Sequence, residues 1–290
     1  LEQVNTQLEG MIYAGNANFN GSDSLAITIT DTDNVGDNPT TRATVNVPIT
    51  VNPVNDAPTL GSLDANSANT FIENGTAIEV DTSVVIADVE LVSGGDLNDN
   101  FQGSTLTIER DGGANATDTF ALNTSGVVGL SGTTVSVSGT DVGTVTTNTG
   151  GTLTVTFANG ATQAQVNVVA SAITYANTSD APPTSVAAKY TFSDGNADRG
   201  GAAGDDQGSG GALSVSGVIN IAIQQINDTP TVTVPGAQTV PEDVGVTFST
   251  SNGNAIQVAD VDAGDSNVTV TVALNNSGDG TLTLSQDTGL

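Results

Sequence analysis

Apolar and small polar residues alternate in short runs along the whole chain. The runs include Leu25-Ala-Ile-Thr-Ile-Thr30, Thr44-Val-Asn-Val-Pro-Ile-Thr-Val51, Thr105-Leu-Thr-Ile-Glu109 and Thr133-Thr-Val-Ser-Val-Ser138. Thr152-Leu-Thr-Val-Thr-Phe157, Val215-Ser-Gly-Val-Ile-Asn-Ile-Ala-Ile223 and Val268-Thr-Val-Thr-Val-Ala-Leu274 continue the pattern. A period of two puts every second side chain on one face, as in a half-buried strand. Each run is bounded by Gly, Asn, Asp or Pro, the residues that build turns. Many short strands separated by turn signals predict antiparallel β-sandwiches. No segment shows a helical period, so essentially no α-helix is expected.

The pattern also repeats on a longer scale. Val51-Asn-Pro-Val-Asn-Asp-Ala-Pro-Thr-Leu60 recurs as Ile223-Gln-Gln-Ile-Asn-Asp-Thr-Pro-Thr-Val232, an offset of 172 residues from Asn55 to Asn227. Each copy follows an apolar strand, and its Pro interrupts any ladder, so it reads as a linker between domains. Upstream, Tyr13-Ala-Gly-Asn16 and Thr30-Asp-Thr-Asp33 resemble Tyr175-Ala-Asn-Thr178 and Ser193-Asp-Gly-Asn196. Downstream, Phe71-Ile-Glu-Asn-Gly75 and Ala87-Asp-Val-Glu90 resemble Val240-Pro-Glu-Asp-Val244 and Ala259-Asp-Val-Asp262. Residues 1–57 therefore read as the C-terminal part of one repeat, 58–228 as a complete long repeat, and 229–290 as the N-terminal part of the next. The natural chain is expected to extend both ways. Extra Gly/Thr/Ser-rich hairpins around 93–165 account for the length of the middle repeat.

Charge narrows the function. The 290 residues carry 32 acids against four bases, Arg42, Arg110, Lys189 and Arg199, for a net charge of −28. Such a polyanion has no means of covering a phosphate backbone, so nucleic acid is not a partner. Anionic membrane surfaces repel it, and no apolar run is long enough for direct membrane insertion. The natural counter-charge is a cation. With no Cys and no His, thiolate or imidazole zinc sites and His-based catalytic triads are excluded. A two-carboxylate glycosidase has the residue types but lacks Trp platforms, and no enzyme activity is expected. Tyr13 and Tyr175 stand at matching repeat positions and read as core. The glycine-rich stretches 200–204 and 208–211 precede no helix and read as flexible loop.

The linker motifs Val54-Asn-Asp-Ala-Pro58 and Ile226-Asn-Asp-Thr-Pro230 resemble those of bacterial cadherin-like tandem repeats in giant secreted or cell-surface adhesins. The blocks Asn18-Phe-Asn-Gly-Ser-Asp-Ser-Leu25, Ile173-Thr-Tyr-Ala-Asn-Thr-Ser-Asp180, Tyr190-Thr-Phe-Ser-Asp-Gly195 and Ala259-Asp-Val-Asp-Ala-Gly-Asp265 extend the resemblance over nearly the whole chain. It implies an all-β fold of tandem cadherin- or Ig-like antiparallel sandwiches, the central one enlarged by hairpins. It also implies calcium at the junctions and an extracellular or bacterial cell-surface location. The long middle repeat departs from the shorter common form.

Calcium takes six to eight oxygens, so its ligands must converge from several loops. At the first junction the candidates are Asn55 and Asp56 in the linker, Glu73, Asp88 and Glu90 after it, and Asp31 and Asp33 before it. At the second they are Asn227, Asp228, Glu242, Asp260 and Asp262, with Asp194 and Asp198 upstream and Asp265 and Asp243 alongside. In extended backbone Asp88 and Glu90, or Asp260 and Asp262, face one side while Val89 or Val261 faces inward. Single acids of this kind also serve simply as turn formers; no EF-hand frame is present. The reading is a calcium-stiffened spacer in adhesion or biofilm matrix, contacting neighbouring repeats of its own chain. The alternatives are self-assembly with other copies into a filament or surface layer, and a module that binds surface glycans.

Overall fold

The computed structural model describes residues 2–31, 41–63, 70–92, 99–196, 207–264, 266, 268–275 and 280–284. The chain divides into two compact units, Leu1–Gln225 and Ile226–Leu290. The first opens with a seven-residue helix α1 (Glu2–Leu8) and a ribbon of β1 (Gly21–Asp31) and β2 (Thr41–Val51). Short strands β3 (Thr59–Gly61), β4 (Thr70–Ile72), β5 (Ile78–Glu79) and β6 (Val85–Ala87) follow. Then come β7 (Thr105–Arg110), β8 (Asp118–Leu122), β9 (Val128–Ser131), β10 (Thr134–Val137), β11 (Thr140–Thr149) and β12 (Thr152–Phe157). Helix α2 (Gln163–Ser171) leads into β13 (Ile173–Asn177), β14 (Ser185–Ser193) and β15 (Ser214–Gln224). The second unit holds β16 (Thr231–Thr233) and β17 (Gln257–Ala259).

The all-β class stands. Eight strands form one sheet in the order β4-β15-β14-β7-β12-β11-β10-β9, and three form another in the order β5-β13-β8. Pairing is antiparallel throughout both, except where β4 adds parallel to β15. Alternation in the sequence becomes alternation of burial: Leu106, Ile108, Leu153, Val155, Ala188, Tyr190, Phe192, Ile219 and Ile221 all point into one core. Tyr175 on β13 meets Phe71 of the facing sheet at a centroid separation of 5.7 Å and its cross-strand partner Phe120 on β8 at 5.4 Å, edge-on or tilted as aromatic quadrupoles prefer. The described strands of the 93–165 stretch belong to the two sheets, β8 to the smaller and the others to the larger. Of these, β7 and β12 lie in the middle of the large sheet.

A buried polar knot joins the sheets. The Arg110 guanidinium on β7 donates two hydrogen bonds, 2.7 and 2.8 Å, to the Asp118 carboxylate on β8. The same carboxylate accepts the Tyr175 hydroxyl and the Asn177 amide, each at 2.8 Å. Burial first, and then Asp118, push the Tyr175 phenol above its ordinary value. Tyr175 is thus a core residue, as its repeat position suggests. Tyr13 is exposed, with its hydroxyl on Asp23.

The expectation of essentially no helix is corrected by α2. Thr162 and Gln165 form a reciprocal capping box at its start. Val166, Val169 and Ala170 bury one face, and Asn167 accepts the backbone N–H of Ile86 on β6 at 2.8 Å. Among the described residues no helix is long and apolar enough to cross a membrane.

The 172-residue offset reappears in backbone pairing. Thr59, Leu60 and Gly61 pair with Ala87, Ile86 and Val85; Thr231, Val232 and Thr233 pair with Ala259, Val258 and Gln257. The Thr59 hydroxyl donates to Ala87 O at 3.1 Å, and the Thr231 hydroxyl to Ala259 O at 3.2 Å.

Candidate cation-binding site

The first acidic locus is assembled by three chain segments. The linker after β2 is stitched to the loop before β15: Asn55 N–H donates to Ser209 O at 2.9 Å, and Ser209 N–H to Pro53 O at 3.2 Å. This approach requires Gly208, which has φ +98° and would drive a Cβ into the Pro53 and Val54 backbone. The 208–211 stretch is therefore a packed element of the site, contrary to its sequence reading as flexible loop. Asn55 then donates its side-chain amide to Asp194 Oδ2 at 2.8 Å and to Gly211 O at 3.0 Å.

Asp194 sits just past β14 and organises the loop that follows. Its Oδ1 accepts the N–H groups of Asn196 and Leu213, both at 3.0 Å. Gln207 donates to the Asp194 carbonyl at 3.0 Å, and Asn196 to the Gly208 carbonyl at 2.9 Å. Gly195 has φ +69° and packs on the Gly103 backbone, where no side chain fits.

The third segment follows β6. Asp88 Oδ1 accepts the N–H groups of Glu90 and Leu91 at 3.0 and 3.2 Å. This is an Asx turn, not the extended backbone assumed from the Asp-Val-Glu spacing. The two carboxyls do face one way, but Val89 faces solvent, not the core. Burial and the adjoining Asp88 carboxyl push Glu90 up to about 8. Burial likewise raises Asp88, and the charge of Asp194 acts in the same direction. Asp56 is exposed, yet its charge also reaches Glu90. Glu73 is buried just beyond β4, with its backbone N–H on Gln224 O at 3.0 Å.

Asn55, Glu73, Asp88, Glu90, Asp194, Asn196 and Gln207 are each more than nine-tenths buried. Among the described residues, Asn55 Oδ1, Asp88 Oδ2, Glu90 Oε2, Asn196 Oδ1 and Gln207 Oε1 are buried acceptors with no hydrogen-bond donor. A buried acceptor left without a partner costs about 1–3 kcal/mol. A hard cation satisfies such oxygens, and carboxylates with amide carbonyls form a calcium-type donor set. Among the described residues no group of three or more acidic, His or Cys side chains is gathered closely enough to hold a metal. The donors at this locus are instead two carboxyls mixed with three amides. Composition pointed to the acids; it gave no signal for Gln207, and it gave Asn196 only as part of the Asp-Gly-Asn turn.

The second unit repeats part of this geometry. Asp260 Oδ1 accepts the N–H groups of Asp262 and Ala263 at 3.0 and 3.1 Å, and Asp262 Oδ2 accepts the Asp228 N–H. These three acids are half-buried. Val261, like Val89, faces solvent. Glu242 is exposed in a turn beside Asp243, which has φ +65°, and Asn227 donates to Asp228 O at 2.8 Å. Asp33, Asp198 and Asp265 lie outside the described residues, as does the side chain of Asp31.

No family model matches the chain, and no curated protein matches it. Among solved structures, the collagen-binding domain of the Erysipelothrix rhusiopathiae surface protein RspB is similar at a TM-score of 0.20 and 10% identity. That match covers 72% of this chain and 61% of the other, less than two-thirds of its length. A likeness of this size bears on neither ligand nor activity.

Proposed function

We propose that this chain is a calcium-stiffened structural repeat region of a large extracellular bacterial adhesin, a spacer whose linkers are locked by bound ions. The carrying observation is the buried locus around Asp88, Glu90 and Asp194, with five acceptor oxygens lacking donors. It joins the linker after β2 to the loops after β6 and β14, so an ion there ties three segments of chain together. Recurrence of the same ladder and Asx turn near Asp260 favours a repeated device over a single accident of packing. Calcium would be held by Asp88, Glu90, Asn55, Asn196 and Gln207, neutralising two adjoining buried carboxyls. The net charge of −28 suits a chain whose counter-charge arrives as ions.

The test is calorimetry and small-angle scattering with calcium and with chelator. Calcium should raise the melting temperature and fix the particle length. An unchanged melting temperature and an unchanged length would refute the reading and leave the acids as turn formers.

A further inference from the structure

Within the first unit, the chain that enters from the linker after β2 runs alongside the chain that leaves through β15. Val54 forms a parallel bridge to Ser209. Farther along, β4 pairs parallel with β15, from Thr70 beside Ala222 to Ile72 beside Gln224. Between these points Leu60 and Leu63 rest against Gly217, where a Cβ would stand. The three contacts occur in the same order along both segments, so entry and exit point the same way. A parallel pair needs a crossover connection, and here the crossover is the body of the fold itself.

Direction decides how such contacts carry load. Tension on the chain pulls residue 53 back toward β2 and residue 224 onward past β15. The two segments are then driven past each other along their common axis. Ladder hydrogen bonds run across that axis, so they are loaded together. Asn55 N–H donates to Ser209 O at 2.9 Å, Ser209 N–H to Pro53 O at 3.2 Å and Glu73 N–H to Gln224 O at 3.0 Å. The Asn55 amide adds a bond to Gly211 O at 3.0 Å. Sliding also drags Phe71 off Tyr175 and the two leucines off Gly217, which a close-packed interior resists. A hairpin pulled open at its paired ends instead loses its bonds one at a time.

We infer that this paired entry and exit is a shear clamp, which makes the 53–224 body a force-bearing element and sets the tension at which it unfolds. The role rests on the spacer function proposed above, in which tension reaches the body from both sides. Asn55 is hydrogen-bonded to Asp194 at one end of the clamp, so an ion at the acidic locus ties the same two segments together.

Single-molecule stretching of the 290-residue chain tests it. The chain has no Cys, so handles are placed uniquely at exposed positions. Thr50→Cys with Gln224→Cys pulls along the clamp. Asp180→Cys with Gln224→Cys peels β15 from β14 at the end where Ser185 pairs with Ala222. In chelator, the first direction should need roughly twice the force of the second or more, since forced unfolding reads the unfolding rate along the path pulled. One rupture should then release most of the roughly 600 Å that residues 50–224 span when extended. Gly208→Ala drives a methyl into the Pro53 backbone and should lower the force in the first direction only; Asn55→Ala takes its place if that variant does not fold. Equal forces in the two directions, or a variant that lowers both alike or neither, would overturn the clamp. Calcium should raise the force in the first direction. A directional difference that calcium leaves unchanged refutes the ion reading and not the clamp. Equal forces with a calcium-dependent rise in melting temperature refute the clamp alone.

Discussion

Glu90→Gln should act in opposite directions with and without calcium. Burial and Asp88 hold the Glu90 carboxyl at about 8 in the folded protein, against an ordinary 4.5. The folded state therefore binds this proton more tightly than the unfolded chain, and stability falls as pH rises from about 4.5 to about 8. At about 1.4 kcal/mol per pH unit, and with partial water access lowering the full figure, the charge costs the ion-free fold on the order of 3 kcal/mol at pH 8. Glutamine keeps the shape and removes the charge. In chelator at pH 8 the variant should melt higher by roughly 6–12 °C, on the usual scale of about 2–4 °C per kcal/mol for a unit of this size. At pH 4.5 the two proteins should melt nearly together. In calcium the order should reverse, because a ligand lost from the site weakens binding and with it the stabilisation RT ln(1 + [L]/Kd). Calorimetry at both pH values reads all of this. A variant that melts lower than the parent in chelator at pH 8 would show that Glu90 is not a strained buried acid, and the argument for a cation there would lose its driving force.

Other perturbations have definite signs. Tyr175→Phe removes the hydroxyl from the Asp118 knot and should cost about 1–3 kcal/mol in urea unfolding, without altering the calcium response. Gly195→Ala places a methyl against the Gly103 backbone at a positive φ, so it should destabilise the loop and abolish the calcium-dependent rise in melting temperature, read by calorimetry. Thr162→Ala should lose the α2 cap and about 1 kcal/mol, measured by far-UV circular dichroism during denaturation. Magnesium should replace calcium poorly in the melting assay, because its tighter octahedral shell does not suit mixed carboxyl and amide donors.

The sequence by itself determined the class of fold. Strict alternation in segments such as Thr152–Phe157 and Val215–Ile223 leaves a chain only one way to bury its Val, Ile and Leu, on one face of a strand. The 172-residue recurrence was legible too, because linker, turn and strand residues all repeat in order, and the β3–β6 ladder recurs as β16–β17. Tertiary structure decided the rest. α2 carries three Val among its nine residues and shows no clear helical period; its capping box and its burial against β6 make it a helix. The placement of β7 and β12 in the middle of the large sheet depends on β7 pairing with β14, some eighty residues away, a long-range choice that no local pattern encodes. The acids themselves were visible in the sequence, but not their company. Asn196 and Gln207 join the locus only because Gly195 and Gly208 let backbone approach backbone, and charge counting cannot see an amide. Which acids become buried, and therefore costly without a cation, is likewise a property of the packing around Asp88 and Glu90.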